Sequence, residues 1–456
     1  MEMERILVGL ERALWGWPLL ILLMGSGLWL TLRLRFLPIR ELPAAFRLLF
    51  QRKTHQKGGV SAFGALCTAL SATIGTGNIV GVATALSLGG PGALVWMELS
   101  ALTGLSLKYA EGWLAVRYRW HDSAGKPWGG PFAYIEKGLG KRWQPLAKLF
   151  ALLGAFAGLC GVGTFVQVGS VTACLEALLS AHFQNMPYLT TPWGYVVPLS
   201  GLAAGLLLAI LAARAIRGGM AGVSRLSAIL VPLMGGVYVL CCGLVLLRCR
   251  AELLELFRRM LRSAFDRNSV GAGFLGVVAA GVSRGVFSNE AGLGTAPIAA
   301  ASAENVTPAE QGRLSMTAVV FDTMLICTLT GLVILATGSE GVGVSAVMRA
   351  FSKGLPFPQG LSELLFLTIL TLFSFTTVIG WSCCGTACLD YLTGRSRRLR
   401  RWYLAVYVLT VAVAPVFSTR SVWTAASLCN GLMAVPNVLA LLLLCGKIKD
   451  TRPMHS

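Results

Sequence analysis

The sequence predicts an all-α polytopic membrane protein of about eleven spanning helices: one leading helix, then ten in two oppositely oriented sets of five. Three observations predict it. Mean hydropathy is +0.69, with 55% hydrophobic and only 13% charged residues. Apolar runs long enough to cross about 30 Å of hydrocarbon recur along the whole chain. Two of those runs are interrupted near their centres by glycine and polar residues, over Ser71 to Gly81 and Ser288 to Gly294.

With 456 residues mostly consumed by spans, no large soluble domain fits. A net charge of +19 would suggest nucleic acid in a soluble chain. Here the basic residues gather in short loops between apolar runs, which points to the lipid bilayer as partner and to no nucleic acid. The 12 cysteines lie mostly inside apolar runs and read as small buried hydrophobes, not disulfides or zinc ligands. The 4 histidines are scattered, and there is no glycine-rich phosphate loop.

The first run, 13–32, is followed by Arg33 and Arg35 with no small-residue cleavage site, and reads as a retained spanning helix. It forms a leading unit with the basic loop behind it (1–58), which carries Arg40, Arg47, Arg52, Lys53 and Lys57. A first five-helix repeat (59–247) has spans at 61–89, 91–117, 149–179, 194–213 and 223–247, and a short surface helix through 132–138. A basic amphipathic segment (248–269) reads as interfacial. A second five-helix repeat (270–418) and a final spanning helix with its tail (419–456) complete the chain, with spans at 270–300, 311–337, 361–392, 402–417 and 422–445. Lysine and arginine accumulate on one side, through Arg214, Arg217, Arg225, the 395–401 turn, Lys447 and Lys449. That side is expected to be cytoplasmic, with the N-terminus outside. The Arg248 to Arg267 segment disagrees, partly offset by Glu252, Glu255 and Asp266.

The interrupted runs have two readings. Each glycine costs about 1 kcal/mol relative to alanine in a helix, and small residues also let two membrane helices pack closely. Alternatively the helix is discontinuous, its half-helix ends facing a ligand and an ion. Paired interruptions at corresponding places in two oppositely oriented halves favour the second reading, that of an inverted-repeat secondary transporter. Half-helix N-termini suit a carboxylate, which selects the backbone at Thr76 and Gly77, with Asn78 nearby. Gln167 is a lone amide in an apolar helix, either a ligand or a bridge between helices. Phe287, just before the second break, is a candidate wall. Glu98, Lys108, Glu111, Arg284, Glu290 and Asp322 are intramembrane charges in need of partners. Lys108 and Glu111, three apart, can pair with each other.

Six stretches carry a resemblance: 71–85, Gly89 to Ala93, Lys108 to Gly112, Gly129 to Gly140, Phe287 to Ala299, and Asn430 to Asn437. In order and over nearly the whole chain, they resemble the bacterial and archaeal alanine/glycine:cation symporters, the sodium:alanine symporter family of the APC superfamily. The resemblance implies a leucine-transporter-like fold with a helix added at the N-terminus, in the bacterial cytoplasmic (inner) membrane. It implies sodium-driven uptake of small neutral amino acids, with Na+ as coupling ion and no enzymatic activity. By resemblance Gln167 contacts the substrate at its amino group, and Trp381 caps the side-chain space. The fold's sodium site, between its first and eighth core helices, maps onto Ser71, Ile74, Phe373, Thr376 and Thr377. Threonine hydroxyls in such helices also bond back to their own helix. A second site would use Thr73, Asn78 and Ser288. Thr164 and Phe165, and Phe132-Ala133 in the loop, depart from the family pattern. The competing reading is a proton-coupled amino-acid transporter of the same fold, titrating at Glu290.

Overall fold

The computed structural model describes residues 2–51, 59–180, 183, 187–190, 196–266, 273–339, 341–417 and 420–448. Of the residues named above, Arg52, Lys53, Lys57, Arg267 and Lys449 lie outside this set. Among the described residues, eight helices are long and apolar enough to cross a membrane, and one bent pair makes a ninth. Two further helical units fall outside that count for physical reasons. One is 27 residues long, about 40 Å at 1.5 Å per residue, but carries Glu98, Lys108 and Glu111. The other is interrupted at Glu290. The expectation of eleven spans rests on these two.

The leading unit is two helices, α1 (Glu2–Leu14) and α2 (Trp17–Arg33), where the sequence suggested one run. Pro18, at the second position of α2, is tolerated there because its missing N–H would lack a partner anyway. Short helices α3 (Leu37–Arg40) and α4 (Leu42–Leu49) follow. The first interrupted run becomes α5 (Ala62–Thr73), capped by Ser61, and α6 (Val82–Gly89), bent from each other by 54°. Between them Ile74 is extended and Gly77–Gly81 form a wide π-type turn.

α7 (Gly92–Tyr118) leads to a small hairpin, β1 (Trp120–His121) with β2 (Pro127–Trp128), and to α8 (Pro131–Leu139). α8 is the helix expected at the surface, but Phe132 to Ile135 are fully buried. Phe132 stacks on Tyr391 at 4.8 Å between ring centres, and the Trp120 and Trp128 rings close around it. The next span, expected to be continuous over 149–179, divides into α9 (Gln144–Cys160) and α10 (Phe165–Ser180). The reason is Gly161 and Gly163: a side chain on Gly163 would run into Trp381. The Gly163 carbonyl turns outward to accept from Tyr407 Oη at 3.0 Å.

A second hairpin, β3 (Tyr188–Thr190) with β4 (Val196–Pro198), precedes α11 (Leu199–Ile216) and α12 (Gly219–Arg248). The interfacial segment forms α13 (Leu253–Phe265), which buries Leu256, Met260 and Ala264 and exposes Leu254, Phe257, Leu261 and Phe265. α14 (Gly273–Asn289) and α15 (Ala296–Ala301) make the second broken helix. α16 (Pro308–Val319) starts with a Thr307–Glu310 capping box. It runs through a π-type stretch, Val320–Cys327, into α17 (Thr328–Ala336). α18 (Val344–Gly354), α19 (Gln359–Thr393), α20 (Arg397–Phe417) and α21 (Arg420–Leu444) complete the chain. The interval 270–418 thus contains four spanning units, so a second set of five needs α21, which the sequence boundaries assigned to a separate final segment.

Two packed groups organise the bundle. α5–α6, α7, α14–α15 and α16 pack mutually, as do α9–α10, α11, α19 and α20. Inside the first group the broken helices cross antiparallel. Gly77 lies against Phe287, while a Cβ on Gly89 would come within 3.0 Å of the Ala280 Cβ. At the other end the Glu304 amide donates to Val60 O at 2.9 Å, and Ala69 packs on Ala296 and Ala299.

Candidate substrate and cation site

The first break is held by side chains. Gly75 N donates to Asn78 Oδ1 at 3.0 Å and Thr76 N to Gln167 Oε1 at 3.1 Å. Gln167 Nε2 in turn donates to Val162 O at 3.0 Å, satisfying a carbonyl freed at the α9–α10 turn. The amide group therefore bridges two breaks. Asn78 reaches the other way, donating to Asp322 O at 3.3 Å. Both polar side chains expected at the substrate are at the break, each already engaged with backbone. Among the described residues, the buried Thr76 hydroxyl has no hydrogen-bond partner.

The second break runs from Glu290 to Thr295. Glu290 takes φ 50°, and Gly292 and Gly294 take 86° and 87°, a region that glycine enters freely and a glutamate rarely. Glu290 Oε2 accepts from Thr295 Oγ1 at 2.5 Å, clasping the break across its own length. Gly294 N donates to Glu111 Oε1 at 3.1 Å, and Asn437 Nδ2 donates to both Glu111 Oε1 at 2.7 Å and Gly292 O at 2.8 Å. Tyr134 Oη donates to Asn437 Oδ1. Lys108 does pair with Glu111, at 4.0 Å, but the carboxylate's closer contacts are with Gly294 and Asn437. A buried network of this kind is stable only when its members satisfy one another. In the sequence Asn437 stands out only as the end of the Asn430 to Asn437 stretch; the signal for its role is an amide donor deep in an apolar run.

The five residues mapped onto a cation site fall between α5 and α19. Thr377 Oγ1 lies 3.2 Å from Ile74 O and 3.0 Å from Phe373 O, joining the broken helix to α19. Thr376 Oγ1 also contacts Phe373 O, at 3.0 Å, but is shared with Met234 Sδ at 3.3 Å. Ser71 Oγ donates within its own helix to Thr68 O at 2.8 Å, the back-bonding alternative. Ile74, Phe373 and Thr377 thus converge, with Thr376 beside them and Ser71 one turn away. Oxygen donors at an unwound turn match what a hard monovalent ion requires.

A second polar cluster centres on Asp322, in the π-type stretch after α16. Its Oδ1 accepts from Ser288 Oγ at 2.7 Å and Thr323 Oγ1 at 3.1 Å, while the buried Oδ2 has no hydrogen-bond partner among the described residues. From the first broken helix Asn78 Nδ2 donates to the Asp322 backbone oxygen at 3.3 Å, and Thr73 stands beside it with its hydroxyl donating to Leu70 O at 3.4 Å. Cys327 Sγ lies 3.0 Å from Ser288 Oγ. Thr73, Asn78 and Ser288 are therefore together, around a carboxylate whose place in the site the sequence had not specified. π-type turns inside helices often mark such sites.

Two cavities approach the breaks from opposite ends. One, about 240 Å³, is lined by Thr76, Gly77 and Phe287, with Glu11, Arg284 and Thr424 further out. The other, about 330 Å³, opens beside Val60 and Ser302 at the far ends of α5 and α15, and reaches Ser382 and Cys383. Its rim carries an Asp122–Arg395 pair at 3.2 Å and an Asp390–Arg400 pair. The amides of Lys126 and Ala124, with Arg395, hold the Asp122 carboxyl below its usual range. Trp381, expected to cap the substrate, is fully buried between the two cavities and lines neither, and among the described residues its Nε1 has no hydrogen-bond partner. Phe287 does line the first, where it meets Trp15 edge-on at 5.6 Å between ring centres.

Comparison with known proteins places this geometry. The profile of the sodium:alanine symporter family matches residues 1–452. An uncharacterized transporter of Haemophilus influenzae is 42% identical over 97% of this chain and 94% of its own. The sodium/alanine symporter AgcS of Methanococcus maripaludis is 40% identical, over 95% and 93%. Among solved structures, the crystal structure of MhsT in complex with L-phenylalanine shares the fold at a TM-score of 0.59 and 15% identity. It covers 86% of this chain and 90% of that one.

Proposed function

Since the chain belongs to the sodium:alanine symporter family, a family of cation-coupled amino-acid transporters, we propose that it couples sodium influx to uptake of alanine or glycine. One observation carries the reading furthest: two helices broken at mid-length cross antiparallel, with a cavity at each end of the crossing. Exposing the cavities in turn, by rocking one packed group against the other, gives alternating access.

In this reading the substrate carboxylate takes the amides of Thr76 and Gly77, displacing Gln167 Oε1, and the freed oxygen accepts from the substrate ammonium. Phe287 walls the side chain, and Trp381 closes over it as the groups rock. Sodium lies between Ile74 O, Phe373 O and the Thr377 and Thr376 hydroxyls, with Ser71 beside them. Asp322, Ser288, Thr73 and Asn78 offer a second cation position. Sodium at the α5–α19 junction favours the conformation in which the break is ordered, and this couples its binding to the amino acid's. Eleven spans, an outer N-terminus and a cytoplasmic C-terminus in the bacterial inner membrane belong to the same proposal. The proton-coupled alternative assigns the titrating group to Glu290, whose carboxylate accepts from Thr295 Oγ1 across the second break.

The test is radiolabelled alanine and glycine uptake into proteoliposomes under inward sodium, lithium or proton gradients. Uptake driven by sodium is the expected result. Uptake driven by protons and indifferent to sodium overturns the cation assignment.

A further inference from the structure

The 240 Å³ cavity has a charged outer end that the transport reading leaves unused. Arg284 lies on α14 one turn before Phe287, so the two side chains share a face of that helix. Across from it stands Glu11 of α1, close enough for its carboxylate to act electrostatically on the guanidinium. Among the described residues, Arg284 makes no hydrogen bond and no ion pair within 4 Å, and the Glu11 side chain makes none either. An intramembrane charge left this way needs a partner. The pair acts across the cavity without closing it.

We propose that Glu11 and Arg284 form an entrance site that holds an amino-acid zwitterion by both charged ends before it descends to the Thr76–Gly77 break. Arg284 presents the planar fork of donors that suits a carboxylate, and Glu11 presents acceptors for an ammonium. Phe287 joins the two positions, since it lines the same cavity with Thr76 and Gly77 beneath it. A volume of about 240 Å³ is below the roughly 300 Å³ of the smallest usual ligand pockets, which suits an amino acid with a short side chain.

The placement also gives the leading helices a function. α1 packs along α21, and Trp15, in the turn after it, donates from Nε1 to Ser427 O at 2.9 Å while its ring abuts Phe287. The leading unit thus supplies one wall of the substrate path and its only carboxylate at that end among the described lining residues. A monocarboxylate or a simple amine would engage half the site, and a zwitterion both halves.

This inference rests on the symport reading, and the experiment separates the two. The full chain is reconstituted, and L-alanine is followed as initial uptake rate and as equilibrium binding in detergent, for wild type, Arg284→Gln, Arg284→Lys and Glu11→Gln. An entrance site changes how fast the central site is reached, so Arg284→Gln and Glu11→Gln raise KM for uptake about tenfold. The maximal rate and equilibrium Kd stay within about twofold, and Arg284→Lys, which keeps charge but loses the fork, falls between. KM unchanged in both charge-removing variants overturns the entrance site. So does a Kd that rises together with KM, because that makes the pair part of the central site or of the fold. Wild type carrying no alanine under any gradient overturns the symport reading itself, and the entrance site with it. Should Arg284→Gln fail to fold, Glu11→Gln at a wild-type melting temperature carries the same test.

Discussion

Gln167 Oε1 accepts the backbone N–H of Thr76 at 3.1 Å, across 91 residues of sequence, and the same amide donates to Val162 O at 3.0 Å. One side chain therefore satisfies two breaks, that of the first broken helix and that of the α9–α10 turn. The amide it covers is the one a substrate carboxylate would want. Gln167→Ala removes both contacts and leaves buried backbone groups unpaired, at a cost of about 1–3 kcal/mol each. The expected outcome is a lower melting temperature and an alanine Kd weakened about tenfold or more, equivalent to about 1.4 kcal/mol. Gln167→Glu keeps the acceptor for Thr76 N but loses the donor to Val162 O and sets a buried carboxylate beside that carbonyl and beside the substrate's own, so binding fails and the melting temperature falls as well. Thermal melting and equilibrium alanine binding of the two variants, measured together, check this.

The hydroxyls of Thr376 and Thr377 are neighbours in sequence with different surroundings. Thr377 Oγ1 spans from Ile74 O on the broken helix to Phe373 O on α19, whereas Thr376 Oγ1 is shared with Met234 Sδ. Thr377→Val keeps the β-branched shape and deletes the link. The sodium concentration for half-maximal uptake is expected to rise about tenfold, with alanine affinity at saturating sodium changed far less. Thr376→Val is expected to shift it by less than Thr377→Val. Equal effects would mean that the Ile74 contact is not what matters at this junction.

Asp322 joins the two broken helices, its Oδ1 accepting from Ser288 and its backbone oxygen from Asn78, with Thr73 beside it, and among the described residues Oδ2 has no hydrogen-bond partner. Asp322→Asn preserves the shape and an acceptor for Ser288 while removing the charge. If the cluster holds a cation, the sodium dependence of uptake weakens or loses steepness while the protein still folds. If the carboxylate is only structural, the melting temperature falls and the sodium dependence of the remaining uptake is unchanged. Sodium titration of uptake alongside thermal melting distinguishes these results.

The two interruptions were legible because glycine beside polar residues at mid-span is costly unless used. Both breaks lie where Ser71 to Gly81 and Ser288 to Gly294 placed them, with the second displaced toward Thr295. What partners the freed peptide groups was not legible. Bare peptide groups suit ligand and ion, but the structure gives them Asn78, Gln167, Glu111 and Asn437, up to 183 residues away from the backbone groups they meet. The split at Gly161–Thr164 escaped for a related reason. Glycine in an apolar run is equally compatible with close packing, and only the Trp381 ring pressed against Gly163 decides the matter. Likewise the burial of α8 depends on Tyr391, far along the chain, stacking on Phe132. Trp381 itself was selected through resemblance, and its indole lies between the cavities in this conformation.

Gly380 sets the distance between α19 and the broken helix. A Cβ there would come within 2.7 Å of both Ala72 N and Ser71 Oγ. The serine could rotate away, but the Ala72 backbone cannot, so Gly380→Ala forces the helices apart. Overpacking of this kind costs about 1–3 kcal/mol, and it acts one turn from Thr377, where Ile74 O and Phe373 O are held together. The expected outcome is a larger loss of sodium affinity than of alanine affinity, with a modest fall in melting temperature. Gly236→Ala, in α12 where an added Cβ meets nothing within 4 Å, is the control. It should leave transport intact and stabilise the helix by up to about 1 kcal/mol. Sodium titrations of alanine uptake for both variants decide it: loss in Gly380→Ala alone ties the ion's binding to the closeness of α5 and α19, and equal behaviour of the two breaks that tie.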